Sequence, residues 1–355
     1  KLSDKNNIHK KIMLRCVELA KKGLGKTYPN PLVGCVIVNE NKIISEGWHK
    51  RAGENHAEIN ALLKIKNVKI LEKSTLYVNL EPCCHFGKTG PCVNKIIEMK
   101  IPKVVIGCLD YSKKNNGEGV KILKKNGVKV IVNVLKKVCI NLNKRFFTFE
   151  LKKRPYIIIK WAESFDGYFS PINKNRTKNQ PYWISSLKSR KLVHLWRSHE
   201  ESILIGVQTA NDDNPKLTNR YYKGNNPIRI ILDPNNRINK KLEILNDNNK
   251  TIIFTKSKEL NLKNKFWIKI NYKPSIKSLI DKLYKLGIQS LIVEGGKKTI
   301  EGFLKENIFD EIRIFKSKKL LLNGMKSPKF KCNLENEYKL GDDLVRIYSS
   351  NNKII

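Results

Sequence analysis

Residues 56–58 read HAE and residues 81–92 read EPCCHFGKTGPC, and these two segments decide the fold of the N-terminal half. They supply one imidazole (His56), two thiols (Cys83 and Cys92) and one carboxylate (Glu58). A catalytic zinc ion takes three protein ligands and keeps a fourth position for water. His56, Cys83 and Cys92 are therefore the candidate zinc ligands. Glu58 lies two residues after His56, close enough to transfer protons at the site without binding the metal.

An H-x-E segment followed by a strand and then P-C is typical of zinc-dependent deaminases. The bound zinc lowers the pKa of its water to about 7, and the carboxylate passes the proton to the departing amine. The short-spaced form of this motif is P-C-x-x-C, but eight residues, Cys84 to Pro91, separate Cys83 from Cys92 here. A closed structural zinc site with Cys84 or His85 as fourth ligand remains the alternative.

The residues around this motif predict alternating helices and strands. Apolar residues recur at helical spacing over 8–23, while 32–38 and 42–48 read as a hairpin. Further segments predict helices at 56–66, 91–99 and 119–125 and strands at 75–80, 103–108 and 128–134. Strand–helix–strand repetition at these lengths predicts an α/β fold, in which helices cover the faces of a sheet.

A second alternation begins near Arg154, so we expect two domains, 1–148 and 149–355. Glu294-Gly295-Gly296 follows one of its strands and precedes a helix, a turn that can bind a phosphate but is equally common as an ordinary tight turn. No G-x-G-x-x-G follows the first strand, so a Rossmann domain is unsupported. The predicted strands are 156–161, 202–205, 228–232, 251–254 and 291–293, and the predicted helices are 186–196, 274–286 and 299–306.

The composition limits the remaining possibilities. A net charge of +38 would suit nucleic-acid binding, but lysines are spread along the whole chain, so compositional drift is the better interpretation and no specific nucleic acid is expected. No apolar stretch of about 18 residues and no apolar N-terminal segment is present, which predicts a cytoplasmic protein without a membrane span. The sequence also predicts buried thiols rather than a disulfide framework, at Cys16, Cys35, Cys108 and Cys139.

Three longer stretches resemble the bifunctional deaminase–reductases of riboflavin biosynthesis. The family patterns P-N-P-x-V-G-C-V-I-V, G-x-H-x-x-x-G-x-x-H-A-E and E-P-C-x-H-x-G-x-T-x-P-C match residues 29–38, 47–58 and 81–92. The resemblance implies a cytidine-deaminase-like α/β/α domain that acts on a phosphorylated pyrimidine. It also implies substrate binding by Asn30, His49, His85 and Lys88, the last two near the ribose phosphate.

The second half carries landmarks of the same family's reductase: KWAESFDG at 160–167, WISS at 183–186, GVQT at 206–209 and VEGG at 293–296. They imply a dihydrofolate-reductase-like α/β domain that uses NADPH. The residues implied to contact the nucleotide are Glu163, Trp183, Thr209, Asp213, and Gly296 to Gly302. Those implied to contact the substrate are Arg197, Leu217, Arg220 and Glu294. Lys160 is either a group that polarises or protonates near the reacting carbon or a surface lysine at the end of a strand.

The resemblance implies two consecutive reactions and a homo-oligomer that associates through the reductase domain. The deaminase replaces the 2-amino group of 2,5-diamino-6-(5-phosphoribosylamino)pyrimidin-4-one, and the reductase then converts the ribosyl group to ribityl. Pro181 stands where the family often has serine, Glu163 stands where a small residue is usual, and the loop 168–182 is long. An active deaminase with a degenerate reductase domain is therefore an alternative. From charge alone, a nucleic-acid deaminase or an RNA-binding protein is another.

Overall fold

The computed structural model describes residues 2–86, 90–172, 177, 180–257, 259–270 and 275–350. The chain forms two compact units, Lys1–Lys153 and Arg154–Ile355. The boundary suggested by the sequence, between residues 148 and 149, lies within the helix Lys144–Lys152. That helix continues to the point where the two units divide.

The N-terminal unit is built on a five-stranded sheet. Its strands are β1 Gly34–Asn39, β2 Lys42–Trp48, β3 Ser74–Leu80, β4 Lys103–Cys108 and β5 Lys129–Ile131, in the order β2-β1-β3-β4-β5. β1 pairs antiparallel with β2 and β3, whereas β3, β4 and β5 run parallel. The helices are α1 Leu2–Lys21, α2 Ala57–Leu62, α3 Cys92–Glu98, α4 Glu118–Lys125, α5 Lys136–Leu142 and α6 Lys144–Lys152, with a 3₁₀ helix at Val68–Lys73.

Two glycines allow helices to lie directly on this sheet. A Cβ atom at Gly34 would overlap the carbonyl of Cys16 in α1, and one at Gly47 would overlap the carbonyl of Ala57 in α2. Every residue of β1 is buried between the layers. Because α2 begins against β2, the residue that precedes it, His56, has a fixed position relative to the sheet.

The C-terminal unit contains twelve strands and five helices among its described residues. The strands are β6 Tyr156–Glu163, β7 Tyr168–Ser170, β8 Ser202–Gly206, β9 Ile228–Leu232, β10 Thr251–Thr255, β11 Leu260–Leu262, β12 Lys265–Lys269, β13 Ser290–Gly295, β14 Glu311–Lys316, β15 Met325–Lys326, β16 Asn333–Leu340 and β17 Asp343–Ser349. The helices are α7 Leu187–His199, α8 Val207–Asp213, α9 Glu243–Asn246, α10 Ile276–Lys285 and α11 Lys297–Lys305.

Ten of these strands form one sheet in the order β11-β12-β10-β9-β8-β13-β6-β14-β17-β16, and β7 pairs with β15 separately. From β12 to β14 the neighbouring strands run parallel. Parallel strands bring their carboxyl ends to one edge of the sheet, which is where open α/β sheets bind ligands. The largest hydrophobic cluster, which includes Trp161, Phe254 and Phe303, packs under this sheet.

Each helix and strand that the sequence predicted has a counterpart in the structure. Other elements were missed: the helices α5, α6, α8 and α9, and the strands β7, β11, β12, β14, β15, β16 and β17. β16 is exposed over most of its length, and its residues NLENEYKL lack the alternation of apolar and polar side chains that identifies a half-buried strand. Its pairing with β17 depends on backbone hydrogen bonds, which any sequence can make.

All eight cysteines are free, and the four thiols expected to be buried, Cys16, Cys35, Cys108 and Cys139, are buried. Cys332 is partly buried and packs against the largest hydrophobic cluster. In the part of the chain that the structure describes, no helix has both the length and the apolar character needed to span a membrane.

Candidate functional site

Three metal-binding side chains converge in the N-terminal unit. His56 precedes α2 as its N-cap, Cys83 lies in the loop after β3, and Cys92 is the first residue of α3. The Nδ1 atom of His56 lies 3.4 Å from Sγ of Cys83 and 3.3 Å from Sγ of Cys92. The three ligand atoms all lie within 4.8 Å of one another. One imidazole and two thiols so placed fit a catalytic zinc ion.

The surroundings of Cys83 favour its thiolate, which is the form that binds metals. A hydrogen bond with the Cys92 thiol and another with His56 lower the pKa of Cys83, and the Cys92 backbone N–H donates to its sulfur over 3.3 Å. Cys84 points elsewhere, toward the carbonyl of Lys114 at 3.9 Å. Among the described residues the donor set is limited to the three ligands, so the closed four-ligand alternative has no structural support.

Glu58 lies in the first turn of α2 with only 3 % of its surface exposed. Burial is the largest of the effects that raise the pKa of its carboxyl to about 7, and the negative charge of Cys83 adds to it. A carboxyl group with a pKa near neutrality can both accept and donate a proton at physiological pH. Its position beside the donor set is the one expected for the general acid/base.

Two buried polar residues that the sequence analysis missed hold the loop that carries Cys83. The Glu81 carboxylate accepts three backbone N–H groups of the segment 110–120 at 3.0–3.1 Å. The Asn115 amide accepts from the N–H of Cys84 over 3.1 Å and donates to the carbonyl of Pro82 over 3.2 Å. Glu81 could have been found from its place directly before the P-C pair, but nothing in the sequence singles out Asn115.

The residues implied to bind the pyrimidine lie around the same donor set. The amide Nδ2 of Asn30 lies 3.1 Å from Nε2 of His49, and the His49 ring stands edge-on to His56 with 5.4 Å between centroids. His85 is half-buried, and its Nδ1 atom is buried without a hydrogen-bond partner. A buried polar atom of this kind is free to bind a ligand. Lys88 lies outside the described residues.

In the C-terminal unit, three charged side chains meet near the carboxyl ends of β6 and β13: Lys160 in β6, Glu294 in β13 and Arg197 in α7. Arg197 of α7 donates from Nε and Nη2 to the two carboxylate oxygens of Glu294 over 3.0 and 2.7 Å. Nζ of Lys160 lies 3.6 Å from the same carboxylate. Burial by itself would raise the pKa of Glu294, but the charges of Arg197 and Lys160 outweigh it and lower this pKa to about 2. Burial lowers the pKa of Lys160, which is therefore not an ordinary surface lysine.

Arg220 is positioned by a histidine that the sequence analysis missed. The backbone N–H of Arg220 donates to Nδ1 of His194 over 3.0 Å, and its guanidinium donates to Oγ1 of Thr218 over 3.3 Å. His194 is 4 % exposed, and burial together with the charge of Arg197 lowers its pKa to about 4. The spacing of three residues between His194 and Arg197, which puts both on one face of α7, could have revealed it.

Glycines and threonines from two adjacent strand-to-helix turns, β8 to α8 and β13 to α11, lie against one another. We call these residues the nucleotide cradle: Gly206, Thr209, Gly295, Gly296 and Thr299. Gly296 has a φ of 73°, and a Cβ there would lie 3.2 Å from Oγ1 of Thr209. A Cβ at Gly206 would lie 2.7 Å from Oγ1 of Thr299. The backbone can thus approach a pyrophosphate at the start of α11, so these residues fit NADPH.

Two further residues implied to contact the nucleotide are held by neighbouring side chains. The Glu163 carboxylate accepts a hydrogen bond from Nε1 of Trp161 over 3.1 Å. Trp183 is 45 % exposed, and the guanidinium of Arg190 lies 4.6 Å from its ring centroid. Asp213 is the last residue of α8. The loop 168–182, which the sequence marks as long, is described only in part.

Two other residues implied by the resemblance are involved in packing. The side chain of Leu217 is 3 % exposed and belongs to a hydrophobic cluster with Ile203 and Ile231, so a substrate contact there would come from the backbone. Gly302 lies six residues into α11, where a Cβ would be 3.3 Å from Cδ1 of Ile276 in α10. Close packing of the two helices accounts for this glycine.

Comparison with known proteins covers nearly the whole chain. Residues 6–108 match the family model of the cytidine and deoxycytidylate deaminase zinc-binding region, and residues 155–325 match that of the RibD C-terminal domain. The riboflavin biosynthesis protein RibD of Aquifex aeolicus is 39 % identical over 324 residues, which are 90 % of this chain and 89 % of that protein. RibD of Escherichia coli is 32 % identical over 93 % of this chain and 92 % of its own length.

Solved structures of the same family superimpose on nearly the whole chain. A diaminohydroxyphosphoribosylaminopyrimidine deaminase/5-amino-6-(5-phosphoribosylamino)uracil reductase from Thermotoga maritima superimposes with a TM-score of 0.87 at 33 % identity, covering 97 % of this chain and 99 % of that one. RibD of Acinetobacter baumannii gives the same TM-score and coverage at 28 % identity. The chain belongs to the RibD family of riboflavin biosynthesis, whose members combine a zinc-dependent deaminase with an NADPH-dependent reductase.

Proposed function

We propose that the chain acts twice on one phosphorylated pyrimidine. The first unit hydrolyses the 2-amino group of 2,5-diamino-6-(5-phosphoribosylamino)pyrimidin-4-one and releases ammonia. The second unit then reduces C1′ of the opened ribose, which gives the ribityl side chain. The name of the Thermotoga maritima relative contains both activities, and each unit of this chain has a cluster of residues suited to one of them.

In the deaminase unit, His56, Cys83 and Cys92 hold the zinc ion. When bound there, zinc lowers the pKa of a coordinated water to about 7. Glu58, a buried carboxyl with a pKa of about 7, is suited to take a proton from the attacking water and to deliver it to the leaving amine. Asn30, His49, His85 and Lys88 bind the pyrimidine and its phosphorylated ribose.

In the reductase unit, Arg197 and Arg220 bind the substrate phosphate, because a guanidinium can donate two parallel hydrogen bonds to it. Glu294 keeps Arg197 in one orientation through two hydrogen bonds. Lys160 donates a proton near C1′ from its position beside Glu294. NADPH, held by Glu163, Trp183, Thr209, Asp213 and the Gly296–Gly302 segment, supplies the hydride.

We also propose that the chain is cytoplasmic and forms a homo-oligomer through its reductase unit. Eight free cysteines, two of them metal ligands in this proposal, suit a reducing compartment. Light scattering of the full chain in reducing buffer gives its mass. A monomer at working concentrations would contradict the oligomer.

The convergence of His56, Cys83 and Cys92 beside the buried Glu58 carries this proposal. Its test is the Glu58→Gln variant, which keeps the shape of the side chain but cannot exchange the proton. We expect full zinc content, and ammonia release lowered by a factor of about 10² to 10⁴. The exposed Glu54→Gln is the matched control, and reduction of the deaminated substrate should stay normal in both variants. Ammonia release at the wild-type rate in Glu58→Gln would disprove the mechanism.

A further inference from the structure

The order of the parallel strands gives the bound nucleotide a direction. The nicotinamide has to reach the substrate beside Lys160, in the carboxyl-terminal half of β6, and the nucleotide cradle lies at the ends of β13 and β8. The next strand beyond β8 is β9, about 14 Å from β6 at the usual strand spacing of about 4.8 Å. A dinucleotide that starts at β6 and crosses the cradle is therefore expected to place its adenosine half at the end of β9.

The segment that follows β9 has one fixed conformation because Asp233 holds it. Asp233 is fully buried, and its two carboxylate oxygens accept the backbone N–H groups of Arg237 and Ile238, each over 2.9 Å. The side chain of Asn211 in α8 donates to the carbonyl of Arg237 over 2.9 Å. These bonds keep the backbone of Arg237 beside α8, at the carboxyl edge of the sheet.

The guanidinium of Arg237 is exposed and lies next to the nucleotide cradle. Its Nη1 atom lies 3.5 Å from Oε1 of Gln208, the residue before Thr209. The Gln208 amide nitrogen in turn donates to Asp212 over 2.8 Å. Over the described residues, no carboxylate forms an ion pair with Arg237. The guanidinium therefore keeps most of its N–H groups available to an anion at the end of β9.

We propose that Arg237 binds the 2′-phosphate of NADPH and thereby makes the reductase prefer NADPH to NADH. The inference rests on the nucleotide site given under the proposed function. The 2′-phosphate is the one group that distinguishes the two cofactors. In doubly wound dinucleotide-binding folds an arginine near the adenosine ribose accepts this group, and the same chemistry is available to Arg237. The guanidinium can bind this dianion through two parallel hydrogen bonds, which a lysine ammonium cannot do.

A contact with the pyrophosphate is the competing role for Arg237. The cradle already offers that group the backbone N–H groups at the start of α11, on the far side of Thr209. Arg237 instead follows β9, one strand beyond the cradle. Its place in the strand order therefore favours the adenosine phosphate.

The test measures equilibrium binding of NADP⁺ and NAD⁺ to the full-length protein by calorimetry, without turnover. Arg237→Ala should weaken NADP⁺ binding about 10- to 100-fold, the usual effect of losing a charge-assisted hydrogen-bond pair, and leave NAD⁺ binding unchanged. Arg237→Lys should recover part of the NADP⁺ affinity. Lys240→Ala removes an exposed charge from the same loop and is the matched control, with no expected effect on the ratio of the two affinities.

An unchanged NADP⁺ affinity in Arg237→Ala would overturn the inference, and so would an equal loss for both nucleotides, which a pyrophosphate contact or a distorted loop predicts. The cradle is tested separately by Gly296→Ala. If that variant binds both nucleotides normally while Arg237→Ala loses only NADP⁺, the cradle is wrong and the assignment of Arg237 stands. If the wild-type chain binds neither nucleotide, both are wrong.

Discussion

Arg197 and Glu294 form a bidentate ion pair, with Nε 3.0 Å from Oε1 and Nη2 2.7 Å from Oε2. The two side chains are 12 % and 7 % exposed. The same Glu294 oxygen that accepts from Nη2 also lies 3.6 Å from Nζ of Lys160. One carboxylate therefore orients both the arginine that we propose binds the phosphate and the proposed proton donor of the reductase.

Glu294→Gln should disable the reductase and destabilise its unit. The amide cannot balance two buried cations, and breaking a buried ion pair by removing one partner costs about 3–5 kcal/mol. We expect a lower midpoint in denaturant unfolding and little NADPH oxidation with the deaminated substrate, while ammonia release continues. Glu301→Gln, which breaks an exposed pair with Lys297, should cost less than about 1 kcal/mol. Equal stability of the two variants would contradict the role of Glu294.

Cys92→Ser and Cys84→Ser should differ in zinc content. Cys92 supplies one of the three converging donors, whereas Cys84 contacts the carbonyl of Lys114 instead. Elemental analysis of purified protein should find far less than one zinc per chain in Cys92→Ser and the wild-type amount in Cys84→Ser. Loss of zinc from Cys84→Ser would instead favour the closed structural site, in which Cys84 is the fourth ligand.

Gly296→Ala should lose cofactor binding, and Gly287→Ala should keep it. Both glycines have a positive φ, 73° and 77°, so each alanine carries a backbone cost of about 1–2 kcal/mol. The methyl group at 296 would press on Oγ1 of Thr209, whereas nothing lies within 4 Å of one at 287. The expected loss of NADPH affinity in Gly296→Ala is about tenfold or more, as for the loss of a hydrogen bond to a charged group. Similar affinities in fluorescence titrations of the two variants would refute the cradle.

Glu201→Gln should abolish a loss of stability that the wild-type protein undergoes as the pH rises from about 4.5 to about 7. Burial raises the pKa of Glu201 to about 7, although the N–H of Gln289 and the charge of Lys250 lower it in part. Between about pH 4.5 and pH 7 the unfolded chain ionises this group while the folded chain keeps it protonated, so its contribution to stability falls as pH rises.

The variant cannot ionise, so we expect equal stability near pH 4.5 and an advantage of about 1–3 kcal/mol over the wild type near pH 8. Urea unfolding at the two pH values measures it, with the exposed Glu335→Gln as control. An advantage that is the same at both pH values would point to packing and not to ionisation.

The sequence predicted those helices and strands whose own residues show a clear pattern of apolar and polar side chains. β4 and β9 have the predicted bounds, because an apolar run between polar residues identifies a buried strand in any surroundings. The sequence also singled out the three candidate zinc ligands, whose donor atoms converge in the structure, since imidazole and thiol groups at motif spacing indicate their chemistry without coordinates. β16, α5 and α6 were missed because their residues become structured mainly through pairing and packing with distant parts of the chain.

By itself, the sequence determined the family, the two-domain α/β architecture and the kinds of side chain at both sites. Only the tertiary structure placed Cys84 apart from the three converging donors and buried Glu58 enough to raise its pKa to about 7. It also placed His194 against Arg220, and Arg237 beside Gln208. The physical reason is the same in each case. Chemical type is a property of one residue, whereas distance, burial and pKa depend on neighbours that the fold brings from elsewhere in the chain.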